Sequence, residues 1–328
     1  MPDSLQRVIV TGGAGFIGSH FVDFLMRDGV SVEVLDDLSS GRTENLREWE
    51  GNTAFNFLRM DLEDGTTLQE FPGEVNLLLH MAANPEVRAA EKDPERYVRQ
   101  HLEMTRNALD ICRQRDIPSL VLASSSTVYG DAEVFPTPEV YKPLKPVSVY
   151  GRMKLECEQL LSQTCRESGL RGLILRFANI VGPRSNHGII YDLIRKLQAD
   201  PKHLEILGDG TQRKSYLHVT DCVEASIQGI TAHLTSSRKT NILNVGNTDW
   251  ISVSKIAEIV TEAMGLKGVE LVYKPASTDG RGWKGDVKEM RLDITRLNRL
   301  GWKPRYSSEQ AVRLAAEATV SALKTHSA

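Results

Sequence analysis

The stretch Val8–Ser19, VIVTGGAGFIGS, decides the fold of this chain. Its first three residues are β-branched and predict a buried strand, and an amphipathic run typical of a helix begins at Phe16. Glycines fill the turn between them. Gly12 can take backbone angles closed to other residues, Gly15 lets a ligand phosphate approach the backbone, and Gly18 lets the helix pack closely on the strand.

Free N–H groups at the start of that helix, with the positive end of its dipole, form a site for an anion. The diphosphate that bridges two nucleosides fits such a site. A tight turn that binds nothing is the alternative, but a strand before the motif and a helix after it, close to the N-terminus, favour dinucleotide binding. The motif therefore predicts an α/β fold with a doubly wound parallel sheet, the Rossmann fold.

Length, charge and hydropathy limit the classes of function. The 328 residues suffice for one large or two modest domains, and 41% hydrophobic with 25% charged residues is typical of soluble globular proteins. The formal net charge of −3 gives no electrostatic case for nucleic acid or an anionic membrane as a partner. No run approaches the ~18 apolar residues of a membrane span, and the first residues, MPDSLQR, lack the apolar core of a signal peptide.

The four cysteines, Cys112, Cys157, Cys165 and Cys222, are scattered without C-x-x-C spacing. This pattern argues against a metal site or a disulfide scaffold and suits a reducing cytoplasm. We expect Cys157 and Cys165, which fall in one helical pattern, to be small core residues.

A second strand, 30–36, ends in Asp36, about twenty residues beyond the glycine turn. That spacing places a carboxylate where it accepts hydrogen bonds from a ribose diol and repels a 2′-phosphate, which favours NAD over NADP. Arg42 would weaken this preference, and Asp37 would reinforce it. A turn residue at the strand end is the alternative role for Asp36.

Strand and helix patterns alternate through the first half of the chain and loosen beyond Asn179. Further strands are predicted within 55–64, 75–84, 119–130 and 170–183, with long helices at 94–115 and 148–167. Later helices are predicted at 188–199, 219–233, 252–264, 294–299 and 307–323, and short strands at 204–207, 242–245 and 269–273. We predict an NAD-binding domain over 1–178 with segments near 216–247, and a smaller C-terminal substrate-binding lobe over 179–215 and 248–328.

Three strand ends carry further candidates, because ligands of doubly wound sheets lie at the carboxyl ends of the strands. Asp61 is placed to reach the adenine amino group. Ala82 is small enough for the nicotinamide side to approach, although a plain packing need explains it equally well. Three serines, 124–126, end the fifth strand.

The next helix carries Tyr150 and Lys154, which are four residues apart and therefore share a face. A phenol has an ordinary pKa of ~10, which is too high for a base at neutral pH. An ammonium group one turn away, with the positive charge of a bound nicotinamide, stabilises the phenolate. A serine hydroxyl from the fifth strand can hold the substrate oxygen. Y-x-x-x-K alone is a weak signal, but joined to the other motifs it predicts alcohol-to-ketone chemistry with NAD.

Together these motifs are similar to those of the extended short-chain dehydrogenase/reductase family, in its NAD-dependent nucleotide-sugar epimerase/dehydratase branch, and most like UDP-glucose 4-epimerases. The resemblance spans nearly the whole chain and is far more specific for the family than for the substrate. It rests on TGGAGFIG (11–18), Asp36, Asp61, HMAAN (80–84), SSSTVYG (124–130), PVSVYGRMK (146–154), LRFANIVGPR (175–184), GDGTQRKSYLHVTD (208–221) and LGW (300–302).

The resemblance implies a role for individual residues. Tyr150 would be the base, Lys154 would anchor the nicotinamide ribose and tune Tyr150, and Ser125 would assist. The implied cofactor contacts are Gly12, Gly15, Phe16, Ile17, Gly18, Asp36, Asp37, Asp61, Leu62, Ala82, Tyr150 and Lys154. The implied contacts to a nucleotide-sugar substrate are Ser125, Tyr150, Asn179, Lys214 and Arg281, with a loop cap as the alternative role for Asn179.

Two positions after Ser125 separate the reactions of the family. Dehydrating members carry Asp-Glu directly after the residue that corresponds to Ser125, and decarboxylating members carry a Glu two positions after it. This chain has Ser126 and Thr127 at these positions. The missing acid/base pair favours oxidation, rotation of the ketone and return of the hydride to its opposite face, which inverts C4 of a UDP-hexose. The alternatives are another epimerase, reductase or dehydratase of dTDP-, GDP- or CDP-sugars, and a non-catalytic dinucleotide-sensing regulator, which usually lacks the tyrosine or lysine.

Two arginines of the epimerase pattern are replaced in this chain. Lys214 stands where one arginine is common, and Arg213 beside it is a possible substitute, although lysine lacks the two-pronged guanidinium. The second arginine usually comes just before a Gly-Asp pair. Here Trp283 and Lys284 stand nearest to that pair, and Arg281 is displaced.

Two further expectations follow from the resemblance. His101 replaces a helix asparagine and is expected to be an interior residue, while Met290, where pocket size is often set, leaves glucose and N-acetylglucosamine both open. Helices at 94–115 and 148–167 pair across a two-fold axis in the family, which implies a homodimer. Apolar positions such as Leu109 and Leu161 fit burial within one chain equally well.

Overall fold

The computed structural model describes residues 5–64, 73–84, 90, 93–283 and 285–325. In chain order its strands are β1 (Arg7–Thr11), β2 (Ser31–Asp36), β3 (Phe55–Arg59), β4 (Leu77–His80), β5 (Ser119–Ser125), β6 (Arg171–Phe177), β7 (Asn179–Val181), β8 (His203–Leu207), β9 (Arg213–Lys214), β10 (Tyr216–His218), β11 (Thr240–Val245), β12 (Ile251–Ser252), β13 (Glu270–Lys274) and β14 (Glu289–Met290). Its helices are α1 (Phe16–Arg27), α2 (Pro94–Gln114), α3 (Val149–Glu167), α4 (Ile189–Ala199), α5 (Val219–Thr235), α6 (Val253–Ala263), α7 (Thr295–Arg299) and α8 (Ser308–Thr325).

The chain divides into two compact units. The first comprises Met1–Val128, Val149–Arg176 and Val223–Leu243, and the second comprises Tyr129–Ser148, Phe177–Cys222 and Asn244–Ala328. Loop 129–148 belongs to the second unit because it pairs there, with Thr137 N–H donating to Arg291 O at 2.8 Å. These bounds differ from those drawn on the sequence, and the assignment of NAD and substrate binding to separate domains stays a prediction.

The first unit is built on a seven-stranded sheet of order β11-β6-β5-β4-β1-β2-β3. Its pairs from β3 through β5 run parallel. The strand order reverses between β4 and β1, and this reversal is the point at which doubly wound sheets bind ligands. The structure therefore confirms the predicted Rossmann class.

Local sequence explains why the elements of this unit form. Val8, Ile9 and Val10 of β1 are completely or almost completely buried, as a central parallel strand requires. Helix α2 begins with Pro94, preceded by Asp93, whose carboxylate accepts the Arg96 N–H at 3.1 Å.

Two predicted strands end earlier than expected. β5 stops at Ser125 and continues as a short 3-10 helix, Ser126–Tyr129, because the Ser125 hydroxyl accepts the Thr127 N–H at 3.2 Å. The segment 170–183, predicted as a strand that enters a loop, contains two strands, β6 and β7. β7 leaves the central sheet and pairs parallel with β10.

The second unit has its own core. It contains three short sheets, with strand orders β10-β7, β12-β9-β14 and β13-β8, which pack with helices α4, α6 and α8. Fully buried side chains from these helices and from β8, such as Ile194, Leu204, Ile256 and Val312, form one cluster. The late helices and the strands near 204, 242 and 270 agree with the sequence pattern within three residues. The two-residue strands β9, β12 and β14 carry no periodic pattern and were not predicted.

Two sequence expectations concern burial. All four cysteines are buried free thiols. Leu109 and Leu161 are buried within the chain, which explains both without a partner, and the homodimer stays a prediction. Among the described residues, no helix combines the length and apolar character needed to cross a bilayer.

Glu33 is an unusual side chain for the buried interior of this unit. It is 3% exposed on β2, and its Oε1 has no hydrogen-bond partner within the described part of the chain. Burial raises the pKa of Glu33 to about 8, against weaker opposing effects of Arg115 and Arg7. Glu33 is therefore mostly protonated at neutral pH.

Replacing Glu33 tests this protonation. The pKa of Glu33 is 4.5 in the unfolded chain and about 8 in the folded chain, so between these pH values only the folded chain holds the proton. The free energy of unfolding therefore falls as the pH rises from 4.5 to about 8. We expect the unfolding free energy to fall from about pH 5 to about pH 9 by several kcal/mol, up to about 5, more in the wild type than in Glu33→Gln. Denaturant titrations measure it. Exposed Glu50 provides the matched control, and equal slopes for wild type and Glu33→Gln would contradict the assignment.

Candidate functional site

The glycine turn brings the ends of β1 and β4 together. Gly12 has φ +67°, and its N–H donates to Leu35 O at 2.8 Å. A Cβ at Gly12 would lie 2.6 Å from the backbone nitrogen of Ala82. Gly12 is therefore required both for its backbone angle and for the close approach of the loop after β4.

The start of α1 fits a diphosphate. Gly15 is its N-cap and forms no side-chain capping bond, and Phe16 and Ile17 are the first residues of the helix. A Cβ built on Gly15 meets Gly12 O at 3.2 Å and otherwise open space. A Cβ on Gly18 would lie 2.1 Å from Gly12 O. Bare backbone and an uncapped helix start are what a bound anion needs.

Asp36 connects β2 to the glycine turn. Its Oδ2 accepts the Ala14 N–H at 2.9 Å and its Oδ1 accepts the Leu38 N–H at 2.8 Å. Burial raises the pKa of Asp36, while these two N–H groups act in the opposite direction. Each oxygen keeps a second lone pair, so the carboxylate that orders the turn can also accept from a ribose hydroxyl. That contact stays a prediction.

The other predicted adenosine contacts have different surroundings. Asp37 is partly exposed and accepts the N–H and the hydroxyl of Ser39, and Asp61 is exposed and accepts the Glu63 N–H. Leu62 is 4% exposed and lies in the hydrophobic core. Packing alone therefore accounts for Leu62, whereas the two carboxylates have oxygen atoms available to a ligand.

The loop after β4 is held by buried polar groups. The Ala82 N–H donates to Thr11 Oγ1 at 3.3 Å, and that hydroxyl lies 2.8 Å from His80 Nδ1. Asn84 N–H donates to His101 Nε2 at 2.9 Å, and His101 Nδ1–H donates to Tyr97 O at 2.8 Å. Burial lowers the pKa of His101 to about 4, so the neutral ring is a structural residue, as expected.

Helix α3 places Tyr150 and Lys154 beside the end of β5. The Lys154 side chain is buried, and its Nζ donates to Ala123 O at 2.8 Å. The same Nζ lies 5.8 Å from the centroid of the Tyr150 ring. The structure therefore brings together the predicted phenol and ammonium on one helix face.

Ser125 is the last residue of β5, and its hydroxyl is oriented by Thr127. The Thr127 hydroxyl donates to Ser125 Oγ at 3.0 Å, and the Thr127 N–H does so at 3.2 Å. Because Ser125 Oγ accepts both bonds, its own proton remains available for donation. The position that is a carboxylate in the decarboxylating pattern is here a neutral donor.

In the second unit, the two predicted cations are already paired with carboxylates. Lys214 Nζ lies 2.6 Å from Oδ1 of buried Asp286 and 5.4 Å from the ring of Trp283. Arg281 binds Asp131 through two nitrogens at 3.0 Å each, Asp279 at 2.6 Å and the Asp286 carbonyl at 2.6 Å. Hydrogen bonds to Asp131 and Asp279 raise the pKa of Arg281 further.

The remaining residues predicted for the substrate site lie near Lys214 in sequence or in the sheet, but their contacts differ. Arg213 stacks 3.9 Å above Trp250 and pairs with Glu289, away from Lys214, because successive strand residues face opposite sides. Asn179 opens β7, and its Nδ2 donates to Ser215 O at 3.3 Å. Met290 of β14 is buried and in register with Lys214. Lys284 lies outside the described residues.

Sequence reasoning missed a buried ion pair on α3. Glu158 accepts two bonds from Arg176 of β6, at 2.9 and 2.7 Å, and one from the Ser124 hydroxyl at 2.5 Å. A signal was present, because an arginine inside the apolar strand LRGLILRF requires a buried partner. The carboxylates around Arg281 were also missed, since only the fold brings Asp131 to it.

The chain is similar to proteins named as sugar-nucleotide enzymes over nearly its whole length. Residues 8–246 match the family described as NAD dependent epimerase/dehydratase family. A putative UDP-glucose 4-epimerase of Methanocaldococcus jannaschii is 30% identical over 93% of this chain and 96% of that protein. The UDP-glucuronic acid decarboxylase 1 of Xenopus tropicalis is 29% identical over 91% of this chain and 68% of its own length. A crystal structure of a UDP-galactose 4-epimerase is 42% identical, covers 97% of this chain and 100% of its own, and superposes with TM-score 0.85.

Gly18 provides a test of the glycine turn. In Gly18→Ala the new methyl group would meet the Gly12 carbonyl, which is backbone and must shift. Overpacking of this kind costs about 1–3 kcal/mol, so we expect NAD to bind about ten- to a hundredfold more weakly. Gly169→Ala, where nothing lies within 4 Å, is the control. Calorimetric titration with NAD and circular dichroism separate binding from folding, and unchanged affinity would refute the role of Gly18.

Proposed function

This chain belongs to the NAD dependent epimerase/dehydratase family, and we propose that it inverts C4 of a UDP-hexose through a transient 4-keto sugar. The residues that hold NAD in this proposal are Gly12, Gly15, Phe16, Ile17, Gly18, Asp36, Asp37, Asp61, Ala82, Tyr150 and Lys154, whereas Leu62 serves the hydrophobic core. NAD, when bound, supplies a reversible acceptor for the hydride at C4. The steps below are carried out by side chains of the protein.

Tyr150 takes the proton of the sugar 4-hydroxyl as the C4–H bond breaks, and returns it when the ketone is reduced. The Lys154 ammonium, 5.8 Å from the phenol ring, stabilises the phenolate. Ser125 donates its hydroxyl proton to the same sugar oxygen, because its lone pairs are engaged by Thr127. Reduction on the opposite face of the ketone then yields the C4 epimer.

The hydrogen bond from the Thr127 hydroxyl to Ser125 is the observation that favours epimerisation over the other reactions of the family. In the family pattern, members that dehydrate or decarboxylate their sugars carry a carboxylate at the positions of Ser126 and Thr127. A threonine that donates to Ser125 supplies no such acid or base. Decarboxylation of a UDP-uronate is the second candidate, because the relative from Xenopus tropicalis is named for that reaction.

The second unit offers Asn179 and Lys214 for the nucleotide diphosphate of the substrate. Lys214 is the stronger candidate cation, because one ammonium proton binds Asp286 and two others remain. Arg281 is the weaker one, since Asp131, Asp279 and Asp286 already occupy its guanidinium. A homodimer and a cytoplasmic location complete the proposal, both by analogy with the family.

Turnover of candidate substrates tests the reaction. We expect UDP-galactose, UDP-N-acetylgalactosamine or UDP-galacturonate to yield its C4 epimer without added NAD, because each cycle regenerates the cofactor. Proton NMR of the products reports the epimer, and mass spectrometry of UDP-glucuronate incubations reports loss of CO₂. No epimer from any of these sugars would refute the epimerase proposal, and CO₂ loss would establish the second candidate.

Substitution of Tyr150 tests its role as the base. Tyr150→Phe keeps the ring and removes the hydroxyl, so we expect kcat to fall about 10²–10⁴-fold while NAD stays bound. Steady-state kinetics and the absorbance of protein-bound NAD measure the two effects. Exposed Tyr273→Phe is the control. Near-normal turnover of Tyr150→Phe would remove Tyr150 from the mechanism.

A further inference from the structure

Helix α3 carries a carboxylate that could disable the proposed catalytic lysine. Glu158 follows Lys154 by four residues, the spacing at which lysine and glutamate pair along a helix. Both side chains are buried, so such a pair would be only weakly screened by solvent. In the described structure they form no ion pair, and the Lys154 Nζ donates to Ala123 O instead.

Arg176 occupies the carboxylate. Its Nε donates to Glu158 Oε1 at 2.9 Å and its Nη2 donates to Oε2 at 2.7 Å, which is the two-pronged geometry of a guanidinium on a carboxylate. The Ser124 hydroxyl adds a bond to Oε1 at 2.5 Å. The side chains of Arg176 and Glu158 are only 2% and 4% exposed. The charge of Glu158 is thus offset by Arg176, and both carboxylate oxygens are occupied.

A buried ion pair of this kind needs a reason beyond stability. Apolar residues of similar size often serve stability equally well, because removing two charges from water costs about as much as their attraction returns. The position of this pair supplies the reason. Ala123 and Ser124 are consecutive on β5, and they bind Lys154 and Glu158, consecutive positions of one α3 face.

We propose that Arg176 is a positioning residue for Lys154: by holding both oxygens of Glu158, it prevents that carboxylate from capturing the ammonium group one helical turn away. This inference rests on the proposed function, in which the Lys154 charge stabilises the Tyr150 phenolate. Without Arg176, Glu158 turns toward Lys154, neutralises it and withdraws it from Tyr150.

Among the titratable groups near Lys154, Glu158 is the carboxylate that would pair with the ammonium group. His80 of β4 and His101 of α2 are buried, and burial with the nearby Lys154 ammonium lowers their pKa values to about 3 and about 4. Burial raises the pKa of the Cys157 thiol. These three groups are therefore neutral at neutral pH. Glu156 of α3 pairs with Arg152 at 3.7 Å.

Four variants test the proposal. Arg176→Met removes the guanidinium and keeps the chain volume, while Glu158→Gln/Arg176→Met also removes the carboxylate and keeps an acceptor for Ser124. Arg176→Gln, which retains one donor to Glu158, is the replacement if Arg176→Met does not fold. Arg152→Met is the matched control, because it frees a glutamate four residues along the same helix on its exposed face.

We expect Arg176→Met to lower kcat about tenfold, to move the acid limb of the kcat profile about one pH unit upward and to leave KM within about twofold. We expect the double variant to recover to within about threefold of wild type, and Arg152→Met to match wild type. If kcat falls equally in Arg176→Met and in Glu158→Gln/Arg176→Met, the ion pair has only a structural role. That result, or an unimpaired folded Arg176 variant, overturns the proposal.

A second readout separates this proposal from the proposed function. The ultraviolet difference spectrum of NAD-loaded protein, corrected with Tyr150→Phe, follows ionisation of Tyr150 without any sugar substrate. We expect its midpoint to move upward by about one pH unit in Arg176→Met and to return in the double variant. An unmoved midpoint overturns the role of Arg176 even in an active epimerase, whereas a moved midpoint in a protein that turns over no UDP-sugar refutes only the reaction.

Discussion

The hydrogen bond from the Lys154 ammonium to the Ala123 carbonyl fixes helix α3 on strand β5, and the proposed chemistry depends on it. The acceptor of the Lys154 ammonium is a neutral carbonyl, whereas a carboxylate acceptor would offset the positive charge. That charge remains beside the Tyr150 ring. Ser125 lies two residues beyond Ala123, so one strand end supplies both the acceptor for lysine and the hydroxyl for the substrate.

Glycines are as important at the end of β1 as the lysine hydrogen bond is at the end of β5. Gly12 and Gly18 allow the β1 turn, the loop after β4 and the start of α1 to approach one another more closely than any Cβ permits. Polar groups then lock these loops, with Asp36 holding Ala14 and Thr11 holding Ala82. The result is an uncapped helix start at the reversal of strand order, which is where the fold places an anionic ligand.

The second unit presents cations that carboxylates already hold. Asp286 holds Lys214, and Asp131 with Asp279 holds Arg281. A substrate diphosphate that met Lys214 would exchange with or share this ion pair, so binding at this position is a competition between anions. Trp283, 43% exposed, lies beside Lys214 and adds an aromatic face to this group of charges.

Sequence by itself determined the Rossmann sheet, the long helices and the pairing of Tyr150 with Lys154, because glycine spacing, apolar periodicity and a four-residue interval are local properties of the chain. Tertiary structure alone decided the contacts between distant segments: Arg176 with Glu158, Arg281 with Asp131, and the transfer of β7 out of the central sheet to β10. No local pattern encodes these contacts, since their partners lie from 18 to 150 residues apart and meet only when the strands and helices pack.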